Sequence, residues 1–293
     1  MRTILFGAGG QLGVDLARLC RKRGHRLLAL RRSQLDVTDE PAVRQRIARH
    51  RPDCVINAAA YNHVDQAEGD IETALRVNAL AVRNIAAACG EVGAVLVHYS
   101  TDYVFDGEKR SPYKEADDAA PQSVYGISKL MGETFVEVHC PSHYVLRVAG
   151  VFGPPGRHTK RGNFAEFVLR KCAEGAPLRI VDDQIATPTF GPALAARTLD
   201  AIEREIPFGL YHLAGGEPVS WYEFARKIAR LARCASELEP IARTRFQGKA
   251  RRPRCAALSN AKVEAAGIAK MPSLDAAIAE YLILRERERA TRR

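Results

Sequence analysis

Three side chains near the middle of the sequence have the types and spacing needed for proton transfer to a carbonyl group: Thr101, Tyr125 and Lys129. Tyr125 and Lys129 are four positions apart, so on a helix they share a face. We expect the Lys129 ammonium to bring the phenol pKa down from about 10 toward neutral pH. Thr101 would then hold a substrate oxygen beside Tyr125, which would donate a proton as the carbonyl receives a hydride. A Tyr-x-x-x-Lys pair alone is more typical of an ordinary surface helix.

A glycine-rich turn near the N-terminus indicates a nucleotide-binding site, which would supply the cofactor for the chemistry of Tyr125 and Lys129. Gly7, Gly10 and Gly13 follow the apolar segment 3–6 and precede a segment with helical periodicity at 14–20. Glycines in such a turn let backbone N–H groups approach a pyrophosphate, and the helix N-terminus adds a favourable dipole. The spacing is a variant of the dinucleotide-binding fingerprint. The strand before the turn and the helix after it favour a nucleotide site over a plain loop.

Composition narrows the class of protein. The chain has 293 residues, 46% of them hydrophobic, which is enough for a large core. The net charge is +10, but the basic residues are spread along predicted helices, so we expect anionic small molecules and no nucleic acid as partners. No apolar stretch is long enough to span a bilayer, and the first strand begins at residue 2. We therefore expect no signal peptide, no membrane partner and a cytoplasmic location.

The cysteines and histidines predict neither a disulfide nor a metal site. The seven cysteines are scattered with no Cys-x-x-Cys pair and are expected to be reduced. The eight histidines have no ligand spacing, so a metal-dependent enzyme is disfavoured.

Alternating elements predict an α/β fold, a Rossmann-like doubly wound parallel sheet with a smaller, loop-rich C-terminal substrate domain. We assign residues 1–150 to a dinucleotide-binding domain and 151–293 mainly to the substrate domain, the two partly interleaved along the chain. Because ligands bind at the carboxyl ends of such strands, the glycine turn, Thr101 and Tyr125 should face one crevice. Strands are predicted at 2–6, 26–30, 53–57, 94–100, 143–148 and 178–181, and helices at 11–23, 40–50, 71–91, 125–139, 163–174, 220–233 and 273–287.

The end of the second strand bears on the choice of cofactor. An acidic residue there binds the ribose of NADH, whereas an arginine accommodates the 2′-phosphate of NADPH. Here the strand ends in Arg31 and Arg32, and no carboxylate follows until Asp36. We therefore predict NADPH as the cofactor, with NADH as the alternative; two solvent-exposed arginines are the competing interpretation.

The sequence resembles the extended short-chain dehydrogenase/reductases, and within them the dTDP-4-dehydrorhamnose reductase family. The resemblance covers nearly the whole chain. Its most specific parts are the glycine turn, STDYVFDG at 100–107 and YGISKLMGE at 125–133, and further parts are VNA at 77–79, SWYEFA at 220–225 and RP at 252–253. It implies a nucleotide-sugar substrate, and a homodimer is compatible with it.

The resemblance also implies site residues. Tyr125 would be the proton donor, Lys129 would hold the nicotinamide ribose, and Thr101 with Asp102 would contact the sugar. Trp221 and Phe224, three positions apart, are interpreted as core residues. The implied cofactor contacts are Gly7, Gly10, Gln11, Leu12, Gly13, Asp36, Val37, Ala58, Ala59, Ala60 and Tyr61, and the further substrate contacts are Asn62, Val64, Gly150 and Asn163. From spacing alone, Asp36 could equally be a turn or helix-cap residue.

Two departures from the family pattern affect the substrate prediction. Family members often carry a tryptophan, packed on the sugar nucleotide, where this chain has Gly150. The following loop is longer and more basic, and we predict that Arg157, His158, Lys160 and Arg161 clamp the substrate diphosphate. A disordered basic surface loop is the alternative.

Three functions remain open from the sequence. The leading one is reduction of the 4-keto group of a 6-deoxy nucleotide sugar, dTDP-4-dehydro-L-rhamnose to dTDP-L-rhamnose. The second is a reductase or epimerase acting on another nucleotide sugar. The third is a non-enzymatic nucleotide-binding regulatory protein of the same fold, against which the complete Thr101, Tyr125 and Lys129 set argues.

Overall fold

The computed structural model describes residues 1–154, 162–245 and 248–290. The strands are β1 (Arg2–Phe6), β2 (Arg26–Leu30), β3 (Cys54–Asn57), β4 (Val95–Thr101), β5 (His143–Val148), β6 (Val151–Phe152), β7 (Leu178–Val181), β8 (Ile185–Ala186), β9 (Thr189–Phe190), β10 (Gly209–His212), β11 (Val219–Ser220) and β12 (Leu238–Ile241). The helices are α1 (Gln11–Lys22), α2 (Glu40–His50), α3 (Val64–Ala67), α4 (Ile71–Leu75), α5 (Ala81–Val92), α6 (Val124–His139), α7 (Phe164–Ala173), α8 (Gly191–Glu203), α9 (Trp221–Leu231), α10 (Ala261–Ala265) and α11 (Leu274–Ala290). None of the helices in these ranges is long and apolar enough to cross a membrane.

A six-stranded parallel sheet in the order β10-β5-β4-β3-β1-β2 forms the centre of the molecule. This confirms the predicted Rossmann-like α/β fold. The five N-terminal strands lie within one residue of their predicted bounds. The sixth strand is a correction, because the chain returns from its C-terminal half to add β10 beside β5. The predicted strand at 178–181 exists, but it pairs with β12 in a separate two-stranded sheet.

Both faces of the sheet are covered, as its apolar strands require. On one face, Leu16 of α1 and Leu194 of α8 pack against strand residues such as Leu5. On the other face, Val43 of α2 and Ile85 of α5 pack against strand residues that include Ile4, Val55 and Leu96. The rigid two-sided packing fixes where the carboxyl ends of β1, β3 and β4 lie.

A third apolar cluster lies outside the sheet, between α7, α9 and α11, with Phe152, Phe224 and Tyr281 fully buried. Packing of α7 and α9 brings Cys172 and Cys234 together as a disulfide, across 62 positions of sequence. The expectation that all seven cysteines are reduced is therefore wrong for this pair. Sequence spacing carried no sign of it, because the contact arises only from the tertiary packing of two helices.

The predicted helix at 71–91 is helical throughout but not uniform. Between α4 and α5 the segment Arg76–Leu80 is a π-helix. Such segments are rare and frequently lie at functional sites. This one carries Asn78, which is 1% exposed.

Candidate active site

The glycine turn between β1 and α1 is built so tightly that side chains would not fit. Gly7 has φ +76°, and a Cβ placed on it would lie 2.6 Å from the backbone carbon of Ala58. A Cβ on Gly13 would lie 2.1 Å from the carbonyl oxygen of Gly7. The ends of β1 and β3 therefore touch at this turn, as the sequence predicted for a shared crevice.

The first turn of α1 fits a pyrophosphate. Its N-cap, Gly10, offers no side-chain hydrogen bond to the first backbone N–H groups, which are the donors that helix N-termini present to anions. Leu12 packs against the core below them. Gln11 accepts a hydrogen bond from Asn163 at 3.1 Å, while its own Nε2 is buried with no hydrogen-bond partner among the described residues. An unsatisfied buried donor beside a glycine cradle is consistent with a bound dinucleotide phosphate.

Arg31 and Arg32 are exposed at the end of β2, beside the glycine turn. Arg32 pairs with Asp36 at 3.1 Å. Burial acts to raise the pKa of Asp36, but hydrogen bonds from Thr38 and Arg32 hold it below its usual value. Asp36 therefore stabilises the turn after β2 by accepting hydrogen bonds from Thr38, and it would do so with or without a bound cofactor. Val37 is 8% exposed and lies in the core cluster on that face.

The segment after β3 is held by Asn78. Its side chain accepts from the Tyr61 N–H at 2.8 Å, donates to the Tyr61 carbonyl at 2.9 Å, and donates to Ser128 of α6 at 3.0 Å. The backbone at Tyr61, one of the predicted cofactor contacts, is therefore tied to the helix that carries Tyr125 and Lys129. In the sequence, Asn78 is visible only as part of the motif at 77–79, and that pattern indicates no role for its side chain.

Thr101 and Tyr125 are brought together, as predicted. Thr101 ends β4 and its hydroxyl donates to Asp102 at 3.0 Å, while Tyr125 lies in the first turn of α6 within hydrogen-bonding reach of Thr101. Burial raises the pKa of Asp102 to about 7, although the Thr101 hydrogen bond acts to lower it. A buried, partly protonated carboxyl group therefore lies one hydrogen bond from the Thr101–Tyr125 pair.

Lys129 shares this face of α6, but its ammonium is directed elsewhere. Its Nζ donates to the Tyr99 carbonyl and lies 3.4 Å from Nε2 of His98. Burial raises the pKa of Tyr125 above its ordinary value, with the Thr101 hydrogen bond opposing it. The expectation that Lys129 lowers the Tyr125 pKa is thus wrong for this arrangement, because desolvation dominates, the Asp102 charge also acts to raise the pKa, and Lys129 is not among the groups that shift it.

The charge state of Lys129 is itself adjusted by its surroundings. Burial lowers its pKa to about 8, while the Glu133 carboxylate acts to raise it. His98 is fully buried, and its Nδ1 forms a 3.2 Å hydrogen bond with the Asn57 side chain. Burial lowers the pKa of His98, and the nearby Lys129 charge lowers it further. Nothing in the sequence pattern singled out His98.

A further pair of residues packs behind Tyr125. The Tyr103 ring meets the Tyr125 ring edge-on, with centroids 5.7 Å apart. The Tyr103 hydroxyl hydrogen bonds with Arg252, whose guanidinium binds both carboxylate oxygens of Asp65, at 3.0 and 2.6 Å. This Arg252 link joins the C-terminal part of the chain to α3 and to the aromatic support of Tyr125. Arg252 was visible in the sequence only as part of a motif.

The remaining predicted substrate residues lie around the same edge of the sheet. Asn62 is exposed and Val64 half-buried at the start of α3. Asn163 caps α7 and also donates to the Gly153 carbonyl at 2.7 Å, so it links α7 to the glycine-turn side of the crevice. Gly150 follows β5 with φ +47°. The predicted clamp at Arg157, His158, Lys160 and Arg161 lies outside the described residues.

The fold and this arrangement define a dinucleotide-binding enzyme of the short-chain dehydrogenase/reductase type. The family described as the RmlD substrate binding domain matches residues 1–286. The dTDP-4-dehydrorhamnose reductase of Shigella flexneri is 36% identical over 278 residues, covering 90% of this chain and 91% of that protein.

Two solved structures agree with this. A dTDP-4-dehydrorhamnose reductase from Clostridium acetobutylicum has a TM-score of 0.93 at 33% identity, covering 98% of this chain and 100% of that chain. The enzyme of that name from Bacillus anthracis, solved in complex with NADP, has a TM-score of 0.92 at 33% identity, covering 96% of this chain and 98% of that chain. The chain belongs to the dTDP-4-dehydrorhamnose reductase family.

Proposed function

We propose that the protein reduces the 4-keto group of a 6-deoxy nucleotide sugar, converting dTDP-4-dehydro-L-rhamnose to dTDP-L-rhamnose with NADPH. The observation that carries this is the Thr101–Tyr125 pair at the carboxyl edge of β4, facing the same crevice as a glycine turn shaped for a dinucleotide. The names of the relatives and the NADP bound to one of them support the choice of substrate and cofactor.

The protein's own groups would handle the proton. NADPH, when bound, would supply the hydride for the carbonyl carbon. Thr101 and Tyr125 bind the carbonyl oxygen from two sides, and Tyr125 donates its proton as negative charge develops there. A phenol with a raised pKa stays protonated until the alkoxide forms, which suits a donor. The single hydroxyl proton of Thr101 is directed at Asp102, so it would have to rotate toward the carbonyl oxygen, and the protonated form of Asp102 could then donate to the Thr101 oxygen.

The cofactor would lie along the edge from the glycine turn to Lys129. Backbone N–H groups of the first turn of α1 bind the pyrophosphate, and Gln11 donates its unpaired Nε2 to the same group. We expect Arg31 to bind the 2′-phosphate, because its side chain has no hydrogen bond or ion pair with another described residue, whereas Arg32 is paired with Asp36. The family resemblance gives Lys129 the nicotinamide ribose, and for that contact its buried ammonium would have to turn away from the Tyr99 carbonyl.

We assign the region around the third apolar cluster, within residues 151–293, to substrate binding, and residues 1–150 mainly to the cofactor. A cytoplasmic location, a homodimer and the absence of a nucleic-acid partner remain predictions from the sequence.

The test is oxidation of NADPH and NADH, followed by absorbance, with a panel of 4-keto-6-deoxy sugars on dTDP, UDP and GDP. We expect turnover with the dTDP sugar and NADPH, with dTDP-L-rhamnose as product. Interconversion of sugars without net cofactor oxidation would indicate an epimerase. Cofactor binding without turnover of any sugar would indicate a regulatory protein and refute the proposal.

A further inference from the structure

The single tryptophan of the chain fills the space that Gly150 leaves open. Trp221 is the first residue of α9, which is capped by the Ser220 side chain. A Cβ built on Gly150 would lie 3.1 Å from Cη2 of Trp221 and 3.6 Å from the Cα of Pro188. The six-membered ring of the indole therefore rests directly on the backbone at position 150, with no side chain between them.

This contact places the indole at the functional edge of the sheet. Gly150 lies two residues beyond Val148, which is the register partner of Thr101 across β4 and β5. A second connection runs through β8, which pairs with β11 immediately before Trp221. Gln184, just before β8, hydrogen bonds with the Tyr103 hydroxyl, and Tyr103 packs on Tyr125. Two separate segments thus fix Trp221 relative to the proton donor.

The indole of Trp221 packs against aromatic rings on one side, and part of it is exposed to solvent. It meets Phe164 edge-on, with centroids 4.7 Å apart, and leans on Phe224 at 6.2 Å. Phe224 is fully buried, whereas Trp221 is only half-buried. Its N–H makes no hydrogen bond with another described residue, although a tryptophan inside a protein usually finds a partner for this group. An ordinary core residue would be closed on all sides.

We propose that Trp221 is a substrate-binding residue whose indole packs on the apolar face of the sugar, including the C6 methyl of a 6-deoxy hexose. Its N–H donates to a hydroxyl or phosphate oxygen of the same ligand. This assignment rests on the proposed function and names a residue for sugar recognition in it. It adds to the interpretation of Trp221 as a core residue, because the indole also packs against the third apolar cluster. Because Gly150 has no side chain, the indole reaches the backbone just beyond β5, and the part of the ring that is still exposed can meet a sugar placed beside Thr101.

A 6-deoxy sugar suits this surface better than its 6-hydroxy counterpart. Packing the methyl group on the ring removes apolar surface from water, which is favourable. A hydroxymethyl group in the same place would give up its hydrogen bonds to water, which is unfavourable. Trp221 is thus expected to contribute to discrimination at C6 as well as to affinity.

Because Trp221 is the sole tryptophan, its fluorescence reports on this site alone. The first measurement is emission of the wild-type protein during titration with dTDP-L-rhamnose, with NADP⁺ in a parallel titration. We expect a saturable change in emission intensity or wavelength with the sugar nucleotide, and a smaller one with dTDP alone. An unchanged emission at saturating dTDP-L-rhamnose, with binding verified by calorimetry, overturns the proposal.

Kinetics of three variants provide the second measurement. Trp221→Leu should raise KM for the sugar nucleotide about tenfold with kcat and KM for NADPH within about threefold, because stacking affects only the sugar. Trp221→Phe should recover most of the affinity. Phe167→Leu is the matched control, since Phe167 packs on Phe164 in the same cluster but has no ring contact with Trp221. It should leave KM unchanged.

The outcomes separate this proposal from the proposed function. Wild-type turnover of the dTDP sugar with an unchanged KM in Trp221→Leu overturns the role of Trp221 and leaves the reductase assignment standing. A KM that rises equally in Trp221→Leu and Phe167→Leu also overturns it, because the effect then comes from packing. Absence of wild-type turnover with every sugar refutes the proposed function itself.

Discussion

Glu133→Gln should destabilise the protein and alter its pH dependence at the same time. Glu133 lies on α6 one turn beyond Lys129, and its carboxylate accepts from Nε and Nη2 of Arg147 at 3.0 and 2.7 Å. It also accepts from the Ser100 hydroxyl. The two charged side chains are only 5% and 8% exposed. The Arg147 guanidinium lies over the Phe105 ring at 5.0 Å, so it has no route to solvent when its partner is lost.

The magnitude follows from this burial. Removing one partner of a buried ion pair typically costs about 3–5 kcal/mol, because the other charge stays buried and uncompensated. Glutamine keeps the shape and one acceptor, so we expect the lower end, about 3 kcal/mol. The matched control is Glu239→Gln, since Glu239 pairs with Arg179 on the surface, where both side chains are more than half exposed. That change should cost between about 0 and 1 kcal/mol.

The same substitution should act on Lys129. The Glu133 carboxylate raises the pKa of Lys129 against the lowering effect of burial, which brings it to about 8. Loss of the carboxylate charge should therefore lower the Lys129 pKa further. If the ammonium is the working form, the alkaline limb of the kcat/KM profile moves to lower pH.

Denaturant unfolding and a pH profile from 6 to 10 measure the two effects. A free energy of unfolding within about 1 kcal/mol of wild type would refute the assignment of a fully desolvated pair. An unmoved alkaline limb would show that Lys129 does not titrate in this range.

Three further outcomes are expected. The double variant Arg31→Ala/Arg32→Ala should reduce the preference for NADPH over NADH, measured as the ratio of kcat/KM values, by about tenfold or more, because a charge-assisted phosphate contact is lost. An unchanged ratio would show that other residues bind the 2′-phosphate. Arg252→Met should lower kcat, because it removes the hydrogen bond to Tyr103 that supports Tyr125, and Arg252→Lys should recover part of the loss. Equal losses of kcat in both variants would show that Arg252 contributes only to stability. Denatured, unreduced protein should show five reactive thiols, with Cys172 and Cys234 blocked, whereas seven would exclude the disulfide.

Local patterns sufficed for the cofactor half of the fold. The apolar segments that became β1 to β5 alternate with amphipathic helices, and the positions of Gly7 and Gly13 are set by backbone contacts that no other residue permits. The shared face of Tyr125 and Lys129 followed from helical spacing. These features depend on nearby residues, so the sequence displays them directly.

Features set by tertiary packing were not predictable. β10, which joins the sheet beside β5, begins at residue 209, far along the chain from the end of β5 at residue 148, and its short segment has no distinguishing pattern. The disulfide depends on how α7 and α9 pack. The pKa of Tyr125 depends on burial, which outweighs the lysine that spacing had placed near it. His98 lies within an apolar strand, so its sequence context indicates an ordinary core residue. Its contact with Lys129 arises only from the packing of α6 against β4.

The most direct test of the proposed chemistry compares wild type with Tyr125→Phe in NADPH oxidation by dTDP-4-dehydro-L-rhamnose. The phenyl ring retains the packing against Tyr103 and removes only the proton donor. We expect kcat to fall by a factor of about 10²–10⁴, with the Kd for NADPH nearly unchanged. Turnover by Tyr125→Phe within threefold of wild type would contradict the assignment of Tyr125 as the proton donor.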